Sequence, residues 1–332
     1  MLIPNTEIIA PPPFDINAGK GLEFVRVGNS GLRRGATSGV TNRWGGGGGG
    51  GPTDPTISSW AQEGNTYSAA TNYSYICTLD GYDIAYYNPT NNELSTLRWD
   101  GTDFSVVGNV LSLAAHDTQN NVCQLTTSRV CIMDKTGSAD NLTAYDWDGT
   151  DWTKKGNSFS LTFGNYPAGS RLADNSMVVA RSQGIDVMAR YDFDGTDFAK
   201  VGNDFSTGTL DYHMPIGMTA TRCALHSTAG TDKIEALDYA SSTWSQTGND
   251  YNPGANSGML QGCRMSDTRI TTWVGLTIQT LDFDGTNFTT EGTTGAMPSS
   301  PSWPRTMAML DSTHVACKYW GGSGELVVMV AS

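Results

Sequence analysis

"YDFDGTDFAKVGND" occupies residues 191–204, and the nearly identical "YDWDGTDWTKKGNS" occupies 145–158. The Gly-Asn pair near the end of each stretch recurs at Gly64, Gly108, Gly156, Gly202 and Gly248, and Gly292 stands in register with Thr after it. The intervals are 44, 48, 46, 46 and 44 residues. An aromatic residue precedes each of these glycines by four positions: Trp60, Phe104, Trp152, Phe198, Trp244 and Phe288. A second marker, an apolar residue leading into a polar turn, falls at Leu79, Leu125, Leu172, Met218, Met265 and Leu310 with the same spacing. Self-similarity at this period belongs to propellers and other arrays, so the repeat decides the fold before any other signal is weighed.

Each unit reads as four short strands. In the copy at 170–203, "SRLADN" forms the inner strand and its turn, "SMVVARS" the second, "IDVMARYDF" the third and "DFAKVGN" the outer. Asp-Gly between third and outer strands, at Asp100-Gly101, Asp148-Gly149, Asp194-Gly195 and Asp284-Gly285, signals a tight hairpin in which Gly, and Asp to a lesser degree, tolerate positive φ. The unit at Tyr239 has "ASST" there and predicts a differently built turn. Four-stranded units repeated about an axis make a β-propeller.

The blade count follows from the ends. The last unit runs out at "ELVVMVAS", in register with a third strand, and an orphan outer strand, "TISSWAQEGN" at 56–65, precedes the first inner strand. Joining them gives six blades closed by N- and C-terminal strands and leaves no exposed sheet edge. The stretch "LEFVRVGNS" at 22–30 has the same aromatic-to-glycine spacing and keeps seven blades as the alternative. Closure brings both termini to the face carrying the first-to-second strand turns, here the lower face. The longer connections between blades lie on the upper face.

Composition narrows the function classes. Charged residues are sparse at 16%, and the net charge is −13. Residues 1–51 carry five basic and three acidic groups, leaving 15 and 30 for the remainder; so acidic a body repels phosphate backbones, which speaks against nucleic-acid binding. No apolar run approaches the roughly 18 residues that span a bilayer, so membrane insertion is not expected. The opening "MLIPNTEIIAPPPFD" has neither a basic n-region nor a small-residue cleavage site, and does not read as a secretory signal.

Cys77, Cys123 and Cys263 stand two residues before the second marker, and Cys131, Cys223 and Cys317 five to seven after it. Recurrence in register favours buried apolar positions over disulfides, and no C-x-x-C pair suggests a metal. The turns "DWDGTD" and "DFDGTD" imitate the start of a calcium loop but lack the 12-residue pattern with its terminal Glu. Neither a metal nor a cofactor is expected.

The units resemble a propeller repeat of aromatic-Asp/Asn-Gly-Thr-x-aromatic followed by Gly, found in bacterial surface proteins and in structural proteins of tailed phages, particularly marine ones. The resemblance covers about residues 56–332 and rests on "WDGTDF", "WDGTDW", "FDGTDF" and "FDGTNF". It implies the fold and no particular activity, since propellers host many functions.

Residues 1–51 are of another kind: "APPPF", "GLRRGATSG", then "NRWGGGGGGGP" with seven consecutive glycines, Gly45–Gly51. They read as an extended anchoring arm ahead of a propeller at 52–332. Phe14, Arg33, Arg34, Arg43 and Trp44 are its candidate contacts with other virion proteins. The expected setting is a virion assembled in the host cytoplasm, with the propeller displayed on the particle surface in several copies.

Rings and polar groups gather in the upper connections: Tyr73, Tyr75, His116, Asp117, Tyr166, Tyr212, His213 and Trp303. Aromatic faces stack on sugars while Asn and Asp bind hydroxyls, so this set is the candidate glycan site. His226 and His314 are expected away from His116 and His213, and no Gly-x-Ser-x-Gly elbow or phosphate-cradling loop is present. The reading is a non-enzymatic fibre, tail-tip or capsid-decoration protein that binds a host-surface glycan or receptor. The alternatives are a bacterial surface lectin-like module, and a glycan-cleaving enzyme, which would require clustered carboxylates on the central channel.

Overall fold

The computed structural model describes residues 54–332, apart from 69–73, 115–120, 137–138, 162–164, 183–185, 209–211, 229–231, 255–260, 275–276, 297–302 and 321–323. Among the described residues every regular element is a β-strand, and the strands form six four-stranded antiparallel sheets. Blade 1 runs from its inner strand Tyr75–Thr78 through Asp83–Asn88 and Glu93–Trp99 to the outer Phe104–Ser112. Blades 2 to 5 repeat this at residues 121–161, 165–206, 212–251 and 263–296. Blade 6 has Trp303–Met309, His314–Trp320 and Glu325–Ala331, and takes its outer strand, Trp60–Ser68, from the other end of the chain. The closure follows the expected register, with Trp60 paired to Ala331. Ser58 and Ser59 donate their backbone N–H to the Ser332 carbonyl at 2.6 and 3.2 Å, and Ser332 N–H returns to Ser59 at 3.0 Å. The six sheets close without the 22–30 copy, which with the rest of residues 1–53 lies outside the described residues.

Blades adhere through their apolar faces. Cys131, Met133, Leu142 and Ala144 of blade 2 pack with Met177, Val179, Ala189, Phe193 and Phe198 of blade 3, and comparable clusters fill the other junctions. The six recurring aromatics are buried as expected. Each of the five within blades 1 to 5 also leans on the aromatic paired with it in the preceding strand, with ring centroids 4.7 Å apart at Phe193–Phe198 and 5.2 Å apart at Trp99–Phe104. All six cysteines are buried and free, in place with the apolar reading.

The Asp-Gly turns differ from expectation. Trp99 pairs with Phe104, so the loop is the four residues Asp-Gly-Thr-Asp, and only the glycine has positive φ, 103° at Gly101. The aspartate caps the loop instead: Asp100 Oδ1 accepts N–H bonds from Thr102 and Asp103, both at 2.8 Å, and Asp148, Asp194 and Asp284 do the same. A short polar side chain that bonds the backbone two and three residues on needs no left-handed conformation of its own. Blade 4 is built otherwise, as predicted: Ala240 pairs with Thr243 around a two-residue turn with Ser241 and Ser242 at φ 50° and 68°.

The backbone N–H bonds hold these four carboxyls below the ordinary aspartate range. A carboxyl lowered on folding stabilises the native state above its unfolded value, roughly 3.9, and ceases to do so as pH falls through the folded value. These four groups should therefore contribute to a fall in melting temperature as pH drops below about 4. A D100N/D148N/D194N/D284N variant, whose amides still accept the N–H bonds, should flatten the acid limb of Tm against pH.

The Gly-Asn marker has a role that repetition alone does not disclose. It clasps the third-to-outer turn of the following blade. Asn109 N–H donates to the Thr150 carbonyl at 2.7 Å and its Nδ2 to Asp151 Oδ1 at 2.8 Å. The side-chain bond recurs from Asn65 to Asp103, Asn157 to Asp197 and Asn249 to Asn287. At the blade 4 turn the backbone bond from Asn203 to Ser242 remains, at 2.9 Å. Glycine is required because a Cβ at Gly156, φ 65°, would sit 2.1 Å from the Thr196 carbonyl oxygen.

A second tie crosses the lower face. Arg129 forks onto Asp146 across its own blade and lies 5.3 Å over the Phe193 ring of the next. Arg222 repeats the arrangement with Asp238 and Phe283. In blade 5, Arg269 grips the incoming N-terminal segment as well. It bonds Asp282 at 2.6 and 2.9 Å, the Pro55 carbonyl at 2.5 Å and Glu291, whose Oε1 accepts Ile57 N–H at 3.4 Å.

Candidate functional site

The structure distributes the eight candidate residues unevenly. Tyr73, His116 and Asp117 lie outside the described residues, as do the side chains of Tyr166 and Trp303, whose backbones are in the inner strands of blades 3 and 6. Tyr75 is buried among Cys77, Leu79, Val122 and Trp152 between blades 1 and 2, where it packs a junction and offers no ring to the surface. Tyr212 is partly buried against Ala168 and Met214, and His213 beside it is fully buried.

His213 borders a cluster of polar groups between blades 3 and 4. His213 Nδ1 lies 3.0 Å from Ser227 Oγ, its partner across the ladder, and His213 Nε2 lies 3.9 Å from Asp186 Oδ1. Burial pushes the imidazole below its usual value, against the pull of Asp186. Asp186 has φ 45°, uncommon for a residue other than glycine, and its carbonyl accepts Thr207 N–H at 3.0 Å. Asp232 and His226 are buried close by in sequence, His226 one position from Ser227 and so nearer the upper face than the sequence suggests. Asp186 Oδ1 and Thr207 Oγ1 are buried without a hydrogen-bond partner among the described residues.

Ser, His and Asp in one cluster invite a catalytic reading, which the geometry opposes. In a hydrolase triad the serine bonds Nε2 and the carboxylate bonds Nδ1; here the two are exchanged, and 3.9 Å is too long for a hydrogen bond. Ser227 is also fully buried within the sheet, out of reach of a substrate. What the cluster can do is accept hydrogen bonds. The Asp186 side chain, 21% exposed, is the part of it that a donor from outside can reach.

The propeller axis offers a second concavity. The residue just before the second marker lines it in every blade: Thr78, Gln124, Arg171, Gly217, Arg264 and Met309. Its volume is about 70 Å³, far below the roughly 300 Å³ of a small-molecule pocket. Its lining holds no carboxylate, so the paired carboxylates of a glycosidase are not built there. Among the described residues no group of three or more His, Cys, Asp or Glu could hold a metal ion.

No model of a known protein family matches the chain, and no curated protein matches it by sequence. Solved structures do match in fold. The PQQ-bound aldose sugar dehydrogenase of Streptomyces coelicolor has a TM-score of 0.57 at 9% identity, over 84% of this chain and 100% of that one. The SapL1 lectin in complex with α-methyl fucoside has 0.51 at 10%, over 79% and 97%. Regucalcin, a calcium-binding protein of Agrobacterium tumefaciens, has 0.51 at 12%, over 84% and 97%. At these identities the likeness is one of architecture. A lectin and an enzyme share it, so the residues of the site must carry the functional argument.

Sequence reasoning found Tyr212 and His213 but passed over Asp186, Thr207, Ser227 and Asp232. The signal was available for Asp186: it stands at the start of the third strand in "SQGIDVMAR", two after a glycine, where an Asp in the left-handed region is one of the few non-glycine options.

Proposed function

We propose that this propeller is a non-enzymatic carbohydrate-recognition module, carried on a phage particle through residues 1–51 as a fibre, tail-tip or capsid-decoration component. The observation that carries the reading is the Asp186 carboxylate beneath the upper face, its side chain 21% exposed and its Oδ1 without a hydrogen-bond partner among the described residues. Sugar hydroxyls donate to such oxygens while a ring edge or face covers the C–H surface of the pyranose. The SapL1 lectin in complex with α-methyl fucoside, similar in fold, supports the same class of ligand. The exchanged, sealed Ser-His-Asp geometry and the carboxylate-free axis favour binding over hydrolysis. Several copies on one particle make weak single-site binding effective.

The test is a glycan array probed with the purified chain. Binding to at least one glycan class is expected. Asp186→Gly, which keeps the positive φ and removes the carboxylate, should weaken it tenfold or more, and Tyr212→Ala likewise. No binding by folded protein, or full binding by both variants, would overturn the reading. The particle context is tested by immunogold labelling of intact virions with antibody to the propeller. Absence of label would move the protein to the bacterial-surface alternative.

A further inference from the structure

The axial cavity carries two like charges where water is scarce. Arg171 of blade 3 and Arg264 of blade 5 line it, their side chains 6% and 12% exposed. Blade 4, which stands between them, contributes Gly217 at the equivalent position. That glycine is enforced, because a Cβ there would lie 1.8 Å from the Arg171 carbonyl oxygen. At that position blade 4 projects no side chain into the cavity. Each guanidinium bonds through Nη2 to an aspartate of its own turn, Asp174 and Asp267. These carboxylates are 70% and 62% exposed and so are largely screened by solvent.

Desolvation costs a buried guanidinium a great deal unless negative charge stands close by. Burial works against the charge of both arginines, and Arg171 adds to the effect at Arg264. Ser170 Oγ, also on the lining, accepts Gly217 N–H at 2.8 Å, which leaves its own proton to donate. Cys77, Cys123 and Cys263 line the cavity too, but burial pushes all three thiols up, Cys123 and Cys263 to about 12, so none supplies a thiolate that would call for a soft metal. The volume, about 70 Å³, equals roughly two waters of bulk liquid and suits one tetrahedral ion.

We propose that the axial cavity binds a single small oxyanion, of the phosphate or sulfate type, held between the guanidiniums of Arg171 and Arg264. Planar forks bind such oxygens in pairs, and each guanidinium carries five N–H donors, of which the bond to Asp174 or Asp267 uses one. The acidic body does not forbid this, because a compact ion inside the axis meets these two arginines first, whereas a polyanion would meet the surface. The site is independent of the carbohydrate reading. Its ligand is either the free ion or the terminal phosphate or sulfate of a larger molecule entering from the mouth.

The experiment titrates the full chain with sodium sulfate and sodium phosphate, by calorimetry and by Tm, against sodium chloride at matched ionic strength. A saturable rise in Tm with a measurable heat is expected for at least one oxyanion. Arg171→Gln and Arg264→Gln should each weaken binding at least tenfold. Arg98→Gln, on an exposed cross-strand pair with Asp83, should leave it unchanged. Galactose 6-sulfate and glucose 6-phosphate distinguish the sources: tighter binding than the inorganic ion assigns the site to a larger ligand, and weaker binding assigns it to the free ion. A Tm that rises without saturation, equally in wild type and in R171Q/R264Q, is the general effect of excluded salts and would overturn the proposal. Should the variants fail to fold, selenate soaked into crystals of the wild type gives a direct reading. An anomalous peak between the two arginines upholds the site, and its absence there overturns it.

Discussion

Arg269→Ala should destabilise the propeller by about 3 kcal/mol, the lower end of the cost of breaking a buried ion pair, and lower Tm by roughly 6 °C. Arg269 is 5% exposed and serves three tasks at once. It forks onto Asp282, holds Glu291, and bonds the Pro55 carbonyl on the segment that leads into the closing strand. Glu291 is held above the ordinary carboxyl range by burial and by its hydrogen bond with Asp282, so the cluster depends on its one cation. Without it, three carboxylates, Asp282, Glu291 and Asp54, and the incoming backbone lose their common partner. Arg269→Lys should recover only part of the loss, since a point charge cannot reproduce the fork. Differential scanning calorimetry measures the stability change. Limited proteolysis supplies a second readout, because cleavage should begin near residues 54–60 in the variant. A loss under about 1 kcal/mol, with no new cleavage there, would show that strand pairing alone holds the closure.

Gly156→Ala should cost roughly 2–5 kcal/mol, the sum of left-handed backbone strain on an L-residue, about 1–2, and of overpacking, about 1–3. At φ 65° the new Cβ would lie 2.1, 2.7 and 2.8 Å from the Thr196 oxygen, carbonyl carbon and Cα, all of them backbone. The junction between blades 2 and 3 can relieve this only by parting, which also stretches the Asn157 bond to Thr196, now 2.7 Å. Gly149→Ala is the internal comparison. Gly149 has φ 101° but nothing within 4 Å of the added carbon, so its cost should be confined to strain. The difference between the two variants, from denaturant midpoints, measures the clasp. Equal losses would mean that backbone conformation, and not approach to the next blade, fixes the marker glycine.

What was legible in the sequence was whatever repeats. Four strands per unit, six units, the closing strand at Trp60, the buried aromatics and the odd turn at Ser241-Ser242 all follow from comparing copies in register. Partners were not legible. The Gly-Asn pair was visible as a marker, yet the turn that it clasps lies about 40 residues on and enters only when blades stand side by side. Asp100 was assigned to backbone permissiveness when its side chain is what matters. Tyr75 was grouped with surface rings because it follows a connection, although the inner strand begins at that residue and turns it into a junction. The axial arginines escaped for the opposite reason. At the position before the second marker the six copies disagree, and a comparison that rewards agreement discards the place where Arg, Gly and Arg follow one another around the ring.

The closing blade also sets a path for force. The chain upstream of residue 54 is covalently continuous with the strand Trp60–Ser68, whose only sheet neighbour among the described residues is Glu325–Ala331. A load drawn through the N-terminal residues meets the Arg269 and Glu291 grip of blade 5 at Pro55 and Ile57 first, and then the ladder that closes blade 6. Once that grip is lost, the ladder, broken by a register shift between Glu63 and Tyr67, would be the first strand pairing to yield, and its release would turn a ring into an open stack of five complete sheets and one of three strands. Tethered by that end, the molecule has its mechanical fuse at the seam where its two ends meet.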